Sequence, residues 1–236
     1  METCTSMYFE ESNLGFLHVP KAAGTSIRDA LEVHSSRSFP PERCHAGVSD
    51  FINMTKEMPF FNDKTEYFAV VRNTYERLVS LYLYGMKKEK EREAASGRGT
   101  LNFGSFLHAI ARGKFQNTAS QLWWITDVPV SGMGGCTCKS CDDPECQGSL
   151  AMPDNRFRWA KFGEITVDHI FRFEDLTKCE EFLRERISED IKLPYLNTTE
   201  RKGIHYSCYY SEELKELVSG MYSQEIATFG FEFEEA

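Results

Sequence analysis

The sequence lacks any apolar run that approaches the length of a membrane-spanning helix, and its first eleven residues are polar. A secretory signal peptide would need a continuous apolar stretch there, so none is visible. A basic excess is also missing, because 36 acidic residues outnumber 27 basic ones and give a net charge of −9. This balance argues against a broad basic surface for nucleic acid or long polyanions. We therefore expect neither a membrane segment nor a nucleic-acid partner.

Internal repeats and low-complexity tracts are absent as well, which excludes repeat arrays and linker-rich architectures. The chain has 236 residues, of which 41% are hydrophobic and 13% aromatic, enough to bury a full core. The sequence therefore predicts one domain over residues 1–236. Strand-like runs that lead into helix starts predict an α/β, three-layer fold with a central, mostly parallel sheet.

The most informative segment is a strand-like run at residues 14–19 that leads into a turn of small residues and a helix start. The residues of this junction are Lys21, Ala22, Ala23, Gly24, Thr25 and Ser26. Small side chains let the backbone approach an anion closely, and the hydroxyls add donors at the helix start. The first helical N–H groups and the positive end of the helix dipole point at the same spot. The junction predicts a P-loop-like phosphate site; an ordinary junction with a solvated Lys21 is the alternative.

A Walker A sequence, GxxxxGK[ST], is missing from this junction. In that motif the lysine directly follows the last glycine, whereas Lys21 lies three residues before Gly24. Its ammonium group would therefore approach a phosphate from another side. No recognisable Asp follows a buried strand in a position to hold Mg²⁺. We expect no magnesium requirement, and the pattern disfavours an ATP-dependent kinase.

A second motif begins where a buried strand at residues 67–71 runs into Arg72. Ligands bind outside the carboxyl ends of strands in open α/β sheets, so a guanidinium there predicts an anion site. Asn73 and Glu76 fit a capping box for a helix that carries Ser80. The alternative is that Arg72 pairs with a nearby carboxylate and that Ser80 is a packing residue.

Two patterns, His-x-Pro-Lys-x-Ala-Gly-Thr-Ser at 18–26 and Val-Arg-Asn-x-Tyr-x-Arg-Leu-x-Ser at 71–80, are more specific together than either is alone. The pair resembles the sulfotransferase superfamily, and within it the carbohydrate branch that includes the heparan 2-O and chondroitin-like enzymes. Similar segments continue along most of the chain. They are Arg-Phe-Glu-Asp-Leu at 172–176, Leu-Pro-Tyr-Leu-Asn at 193–197, Tyr-Tyr-Ser at 209–211 and the Phe-Gly-Phe around Gly230.

The resemblance implies a transferase of the EC 2.8.2 class. Its donor would be 3′-phosphoadenosine 5′-phosphosulfate (PAPS), and its second product 3′,5′-adenosine bisphosphate (PAP). The sulfuryl group would move by in-line displacement to a hydroxyl, or less commonly an amine, of a carbohydrate or small-molecule acceptor. The acidic chain favours a small or neutral acceptor.

The resemblance also implies how the donor is held. The first loop of the family binds the 5′-phosphosulfate, which here involves Lys21, Ala23, Gly24, Thr25 and Ser26. The second motif binds the 3′-phosphate, which here involves Arg72 and Ser80. Arg201 and Lys202 resemble an Arg-Lys-Gly segment that touches the 3′-phosphate in cytosolic sulfotransferases, with a solvated loop as the alternative.

Two catalytic roles follow from what sulfuryl transfer requires. Negative charge accumulates on the oxygen that bridges to the departing phosphate, and Lys21 is placed to stabilise it. The acceptor hydroxyl also needs a general base, for which histidine or a carboxyl with a raised pKa is suited near neutral pH. The family carries a histidine in a segment similar to that around His45, so His45 is the candidate base. Glu174 is the reserve candidate, with an ion pair to Arg172 as its alternative role.

Four cysteines lie close together in a long loop at about residues 129–153, which favours an acceptor-site lid or a family-specific insertion. They are Cys136, Cys138, Cys141 and Cys146. Their spacing can reach one tetrahedral zinc ion. Two disulfides or free thiols stay open as alternatives, because the sequence does not fix the redox compartment.

Most animal carbohydrate sulfotransferases are Golgi type II membrane proteins, whereas this sequence shows no membrane anchor. We therefore expect a cytoplasmic protein, or a protein of the Golgi lumen that has lost its anchor.

Two other functions stay open. A P-loop-type kinase would need magnesium and ATP turnover, whereas a non-catalytic nucleotide-binding or interaction protein would bind PAPS without forming a sulfated product.

Overall fold

A computed structural model describes residues 6–35, 37–38, 47–58, 61–93, 101–111, 118–127, 162–194 and 203–236, with backbone only at 37–38 and 88–93. Several predicted functional residues lie outside these ranges. They are His45, Cys136, Cys138, Cys141, Cys146, Arg201 and Lys202. Their roles stay predictions.

Five strands of the described chain form one mixed sheet in the order β3-β1-β2-β4-β5. They are β1 (Met7–Phe9), β2 (Leu14–Leu17), β3 (Arg37–Ser38), β4 (Glu66–Val71) and β5 (His169–Arg172). Strand β4 is parallel to β2 and β5, whereas β1 is antiparallel to β2 and β3. The carboxyl ends of β2, β4 and β5 therefore meet at one edge, where the loops carrying both predicted motifs begin. The predicted α/β fold class is confirmed.

Helices follow each parallel strand. Helix α1 (Gly24–Leu31) follows β2, and α3 (Thr74–Glu93) follows β4. Helix α6 (Leu176–Arg186) follows β5 through a 3₁₀ turn at Phe173–Asp175. The other helices are α2 (Val48–Lys56), α4 (Phe103–Ala111), α5 (Leu122–Ile125), α7 (Glu212–Met221) and α8 (Ser223–Phe229). Among the described residues, no helix combines the length and apolar character that a membrane crossing requires.

The core lies around β2 and β4, whose side chains are buried on both faces, as is typical of parallel strands covered by helices. The ring of Phe68 on β4 lies 5.0 Å from that of Phe16 on β2 and 5.9 Å from that of Phe182 on α6. Trp123 and Trp124 are buried in the same core. This packing fixes the points at which the two motif-bearing loops leave the sheet.

A second apolar cluster attaches the C-terminal segment to the start of α3. The ring of Tyr75 lies 5.1 Å from Phe233 and 5.7 Å from Tyr210. The Tyr210 hydroxyl also donates a hydrogen bond to the Tyr75 carbonyl at 2.9 Å. Residues near the C-terminus therefore hold the segment that follows Arg72.

Candidate functional site

The loop between β2 and α1 turns through two non-glycine residues with left-handed backbone, Lys21 at φ 66° and Ala23 at φ 63°. Each such residue costs roughly 1–3 kcal/mol and persists only where the surroundings hold it, a pattern common at functional sites. Ala23 occupies the N-cap of α1 and makes no side-chain cap, since alanine has no polar side chain. The positive end of α1 therefore faces the loop, in the arrangement of an anion-binding helix start.

Gly24 cannot be replaced without moving a neighbour, because a Cβ atom there would lie 1.9 Å from ring atoms of His18. His18 is itself only 5% exposed, and its backbone N–H donates to the Ser6 hydroxyl at 3.3 Å. The histidine therefore packs beneath the loop, and we assign it no chemistry. Glycine at position 24 is required for close approach of the helix start to the strand end.

Arg72 joins the two motifs. Its Nη1 donates to the carbonyl oxygen of Lys21 at 3.3 Å. The guanidinium also pairs with the carboxylate of Glu76, with Nη2 at 3.0 Å from Oε1 and Nε at 3.3 Å from Oε2. The centre of the Phe173 ring lies 3.9 Å from the Cζ of Arg72, so the ring packs against the guanidinium group. Arg72 is only 6% exposed. The structure thus brings the two predicted phosphate sites within one hydrogen bond of each other.

The predicted alternative for Arg72, a pair with a nearby carboxylate, is observed, and the predicted capping box is only half right. Asn73 does cap α3, since its Oδ1 accepts the Tyr75 N–H at 3.0 Å. Glu76 instead pairs with Arg72, and both of its carboxylate oxygens contact the guanidinium. The Asn73 N–H donates to Glu174 at 2.6 Å. An anionic ligand of Arg72 would share the guanidinium with Glu76.

The other described residues of the predicted site lie in the loop before α1 or on helices α1 and α3. The Nζ of Lys21 lies 4.0 Å from the centre of the Tyr84 ring, so this side chain reaches across to α3. Ser80 on α3 is buried. Thr25 and Ser26 form the first turn of α1, the former half-buried and the latter buried.

Glu174 lies in the 3₁₀ turn that follows β5 and accepts a hydrogen bond from Asn73, the residue after Arg72. Burial raises the pKa of its carboxyl group, and the hydrogen bond from Asn73 opposes that shift. A raised pKa fits a general base. Arg172 does not pair with Glu174 among the described contacts, since it donates to the Phe229 carbonyl instead.

Sequence reasoning missed a buried polar network on the main-chain side of Arg72. Gln121 bonds to both backbone groups of Arg72, and the fully buried carboxylate of Glu225 bonds in turn to Gln121. Neither residue belongs to a motif. Glu225 lies on the short helix α8 at helical spacing from the buried residues Met221 and Tyr222, but a single glutamate is normally a surface residue, so its identity gave no signal of burial.

Within the described ranges, no group of three or more His, Cys, Asp or Glu side chains could hold a metal ion. The four clustered cysteines lie outside those ranges. The zinc site, the two disulfides and the free thiols therefore stay open as alternatives.

Comparison with known families matches residues 5–232 to the model described as the sulfotransferase family. Comparisons with curated proteins and with solved structures return no match. The matched range spans nearly the whole chain. It therefore contains the loop before α1, the Arg72 motif and the C-terminal segment that holds them. The chain therefore belongs to the sulfotransferase family, whose members transfer a sulfuryl group to an acceptor.

Proposed function

We propose that this protein transfers the sulfuryl group of PAPS to a hydroxyl group of a carbohydrate or small-molecule acceptor and releases PAP. The observation that carries this proposal is the contact between Arg72 and the backbone of Lys21. It joins a helix start suited to one phosphate and a guanidinium suited to another. PAPS carries phosphate groups on both sides of one ribose, which matches two anion sites so close together.

The residues present fit this donor. The first turn of α1, with the hydroxyls of Thr25 and Ser26, would hold the 5′-phosphosulfate. Arg72 and Ser80 would hold the 3′-phosphate, and Phe173 would keep the guanidinium plane in place. Arg201 and Lys202 are proposed as further contacts of the 3′-phosphate.

The chemistry requires an acceptor oxygen to attack sulfur while the bond from sulfur to the phosphate oxygen breaks. The leaving phosphate gains negative charge as that bond breaks, and the ammonium group of Lys21 would stabilise it. Two observations support this role: the Lys21 carbonyl accepts from Arg72 at 3.3 Å, and the Nζ of Lys21 lies 4.0 Å from the centre of the Tyr84 ring on α3. No metal is needed for the role proposed for Lys21.

We propose His45 as the base that accepts the proton of the acceptor hydroxyl, with Glu174 as the alternative. For His45→Ala we expect turnover to fall by about 10²- to 10⁴-fold, as for loss of a general base, while PAP affinity stays near that of the wild type. Steady-state kinetics and PAP titration check the two effects separately. A fully active variant would move the base role to another residue, and Glu174→Gln would be tested next.

The donor class is tested by thermal shift with PAP against ATP plus magnesium, followed by assay of sulfate transfer from labelled PAPS to an acceptor panel. At a hundredfold excess over its Kd, PAP should stabilise the protein by about 2.7 kcal/mol. ATP should stabilise it little, since it lacks a 3′-phosphate. A larger shift with ATP and magnesium would favour a kinase. PAP binding without any sulfated product would favour a non-catalytic protein.

A further inference from the structure

A carboxylate is completely buried on the main-chain side of Arg72. Glu225 on α8 is 0% exposed, and its two oxygens accept four hydrogen bonds. Oε1 accepts from the Thr74 hydroxyl at 2.6 Å and from Gln121 Nε2 at 2.7 Å. Oε2 accepts from the Ser120 hydroxyl at 2.8 Å and from the Gln121 backbone N–H at 2.5 Å. Burial of a carboxylate costs free energy of folding unless hydrogen-bond donors satisfy it. These four donors do so, and they fix the position of the carboxylate.

The side chain of Gln121 extends this network to Arg72. Its Oε1 accepts the Arg72 backbone N–H at 2.8 Å, and its Nε2 donates to the Arg72 carbonyl at 2.7 Å. A flipped amide would place a donor against the N–H and an acceptor against the carbonyl. It would also place its oxygen against the carboxylate of Glu225. Glu225 is the acceptor in all four of its hydrogen bonds, so it favours the amide orientation that fits both backbone groups of Arg72.

The same C-terminal segment also holds the residues that follow Arg72. The hydroxyl of Thr74 bonds to Glu225, and the Asn73 Nδ2 donates to the Glu232 carbonyl at 2.7 Å. The turn from β4 into α3 is therefore fixed by residues that are distant in the sequence. A guanidinium that must meet a phosphate needs its backbone held in this way, because binding geometry depends on the groups that support the contacting residue.

We propose that Glu225, acting through Gln121, is a positioning residue that holds Arg72 for the 3′-phosphate of the donor. This inference rests on the proposed function, since it concerns the same phosphate site. If Glu225 had a purely structural role, its substitution would lower only the free energy of unfolding of the whole fold. If it positions Arg72, its substitution also lowers the protection of the Arg72 amide from hydrogen exchange and the affinity for the nucleotide.

The test is Glu225→Gln, which keeps the shape of the side chain but replaces one oxygen with an NH₂ group. In either orientation that NH₂ faces an N–H donor of Gln121. We expect the Arg72 amide hydrogen to exchange faster, and the Kd for PAP to rise about tenfold, as for loss of a buried hydrogen bond. Val218→Ala on the neighbouring helix α7 is the matched control, because it removes buried methyl groups outside the network.

Hydrogen exchange at Arg72 and PAP titration are measured on folded wild type, Glu225→Gln and Val218→Ala. Faster exchange and weaker PAP binding in Glu225→Gln alone support the positioning role. Equal exchange and equal affinity in the two variants overturn it, provided that wild type binds PAP. Failure of wild type to bind PAP overturns the proposed function itself and this role with it. If Glu225→Gln does not fold, Ser120→Ala, which removes only one of the four bonds, is judged by the same two measurements.

Discussion

Arg72→Ala is expected to abolish most of the affinity for PAP, with a rise in Kd of at least about a hundredfold, or about 2.7 kcal/mol. The guanidinium is buried, and it would contact the 3′-phosphate through charge-assisted bonds that are stronger than neutral ones. Its removal also leaves the carboxylate of Glu76 at the site without this partner. An anionic ligand would then meet a negative charge instead of a positive one. Isothermal titration with PAP measures the effect.

Arg186→Ala provides the matched control. Arg186 pairs with Glu66 at the amino end of β4, whereas Arg72 follows the carboxyl end of the same strand. Removal of Arg186 therefore deletes a guanidinium from the opposite edge of the sheet, and PAP affinity should stay unchanged. Adenosine 5′-monophosphate, which lacks the 3′-phosphate, separates the sites further. Arg72→Ala should weaken PAP binding strongly and monophosphate binding little; equal losses for both nucleotides would show that the 3′-phosphate assignment is wrong.

Lys21→Ala is expected to lower kcat by about 10²- to 10³-fold, as for loss of one well-placed group that stabilises developing charge. The affinity for PAP should fall by about tenfold or less, because the backbone N–H groups of α1 and Arg72 stay in place. A selective loss of kcat is the mark of an interaction made chiefly in the transition state. Single-turnover kinetics at saturating donor, together with PAP titration, separate the two quantities.

Lys64→Ala, at an exposed position before β4, is the control for a general loss of positive charge and should leave kcat unchanged. If Lys21→Ala retained wild-type kcat, the stabilising role would be wrong. If it lost PAP affinity as strongly as turnover, Lys21 would contribute to binding of the ground state instead.

The local parts of the site could be predicted from the sequence because they depend on short segments. A buried apolar run followed by small residues and hydroxyls predicts a strand, a tight turn and a helix start, and β2, the loop and α1 confirm it. The run at residues 67–71 similarly predicted β4 and the position of Arg72 at its end. Both segments follow backbone preferences that neighbours in the sequence largely determine.

The long-range contacts could not be predicted in the same way. Gln121 and Glu225 belong to no motif, and each finds its partners only when distant segments pack together. Glu76 illustrates the same limit at short range. Its spacing from Asn73 fits a capping box, but the folded chain places the Arg72 guanidinium within its reach, and both carboxylate oxygens pair with that guanidinium.

A crystal structure of the protein with PAP would show whether two adjacent anion sites hold the two ends of one adenosine bisphosphate. We expect the 5′-phosphate at the first turn of α1, within hydrogen-bond distance of the Thr25 and Ser26 hydroxyls. We expect the 3′-phosphate against the Arg72 guanidinium and the Ser80 hydroxyl. A bound nucleotide that leaves either site without a phosphate, or that binds elsewhere on the protein, would contradict the account.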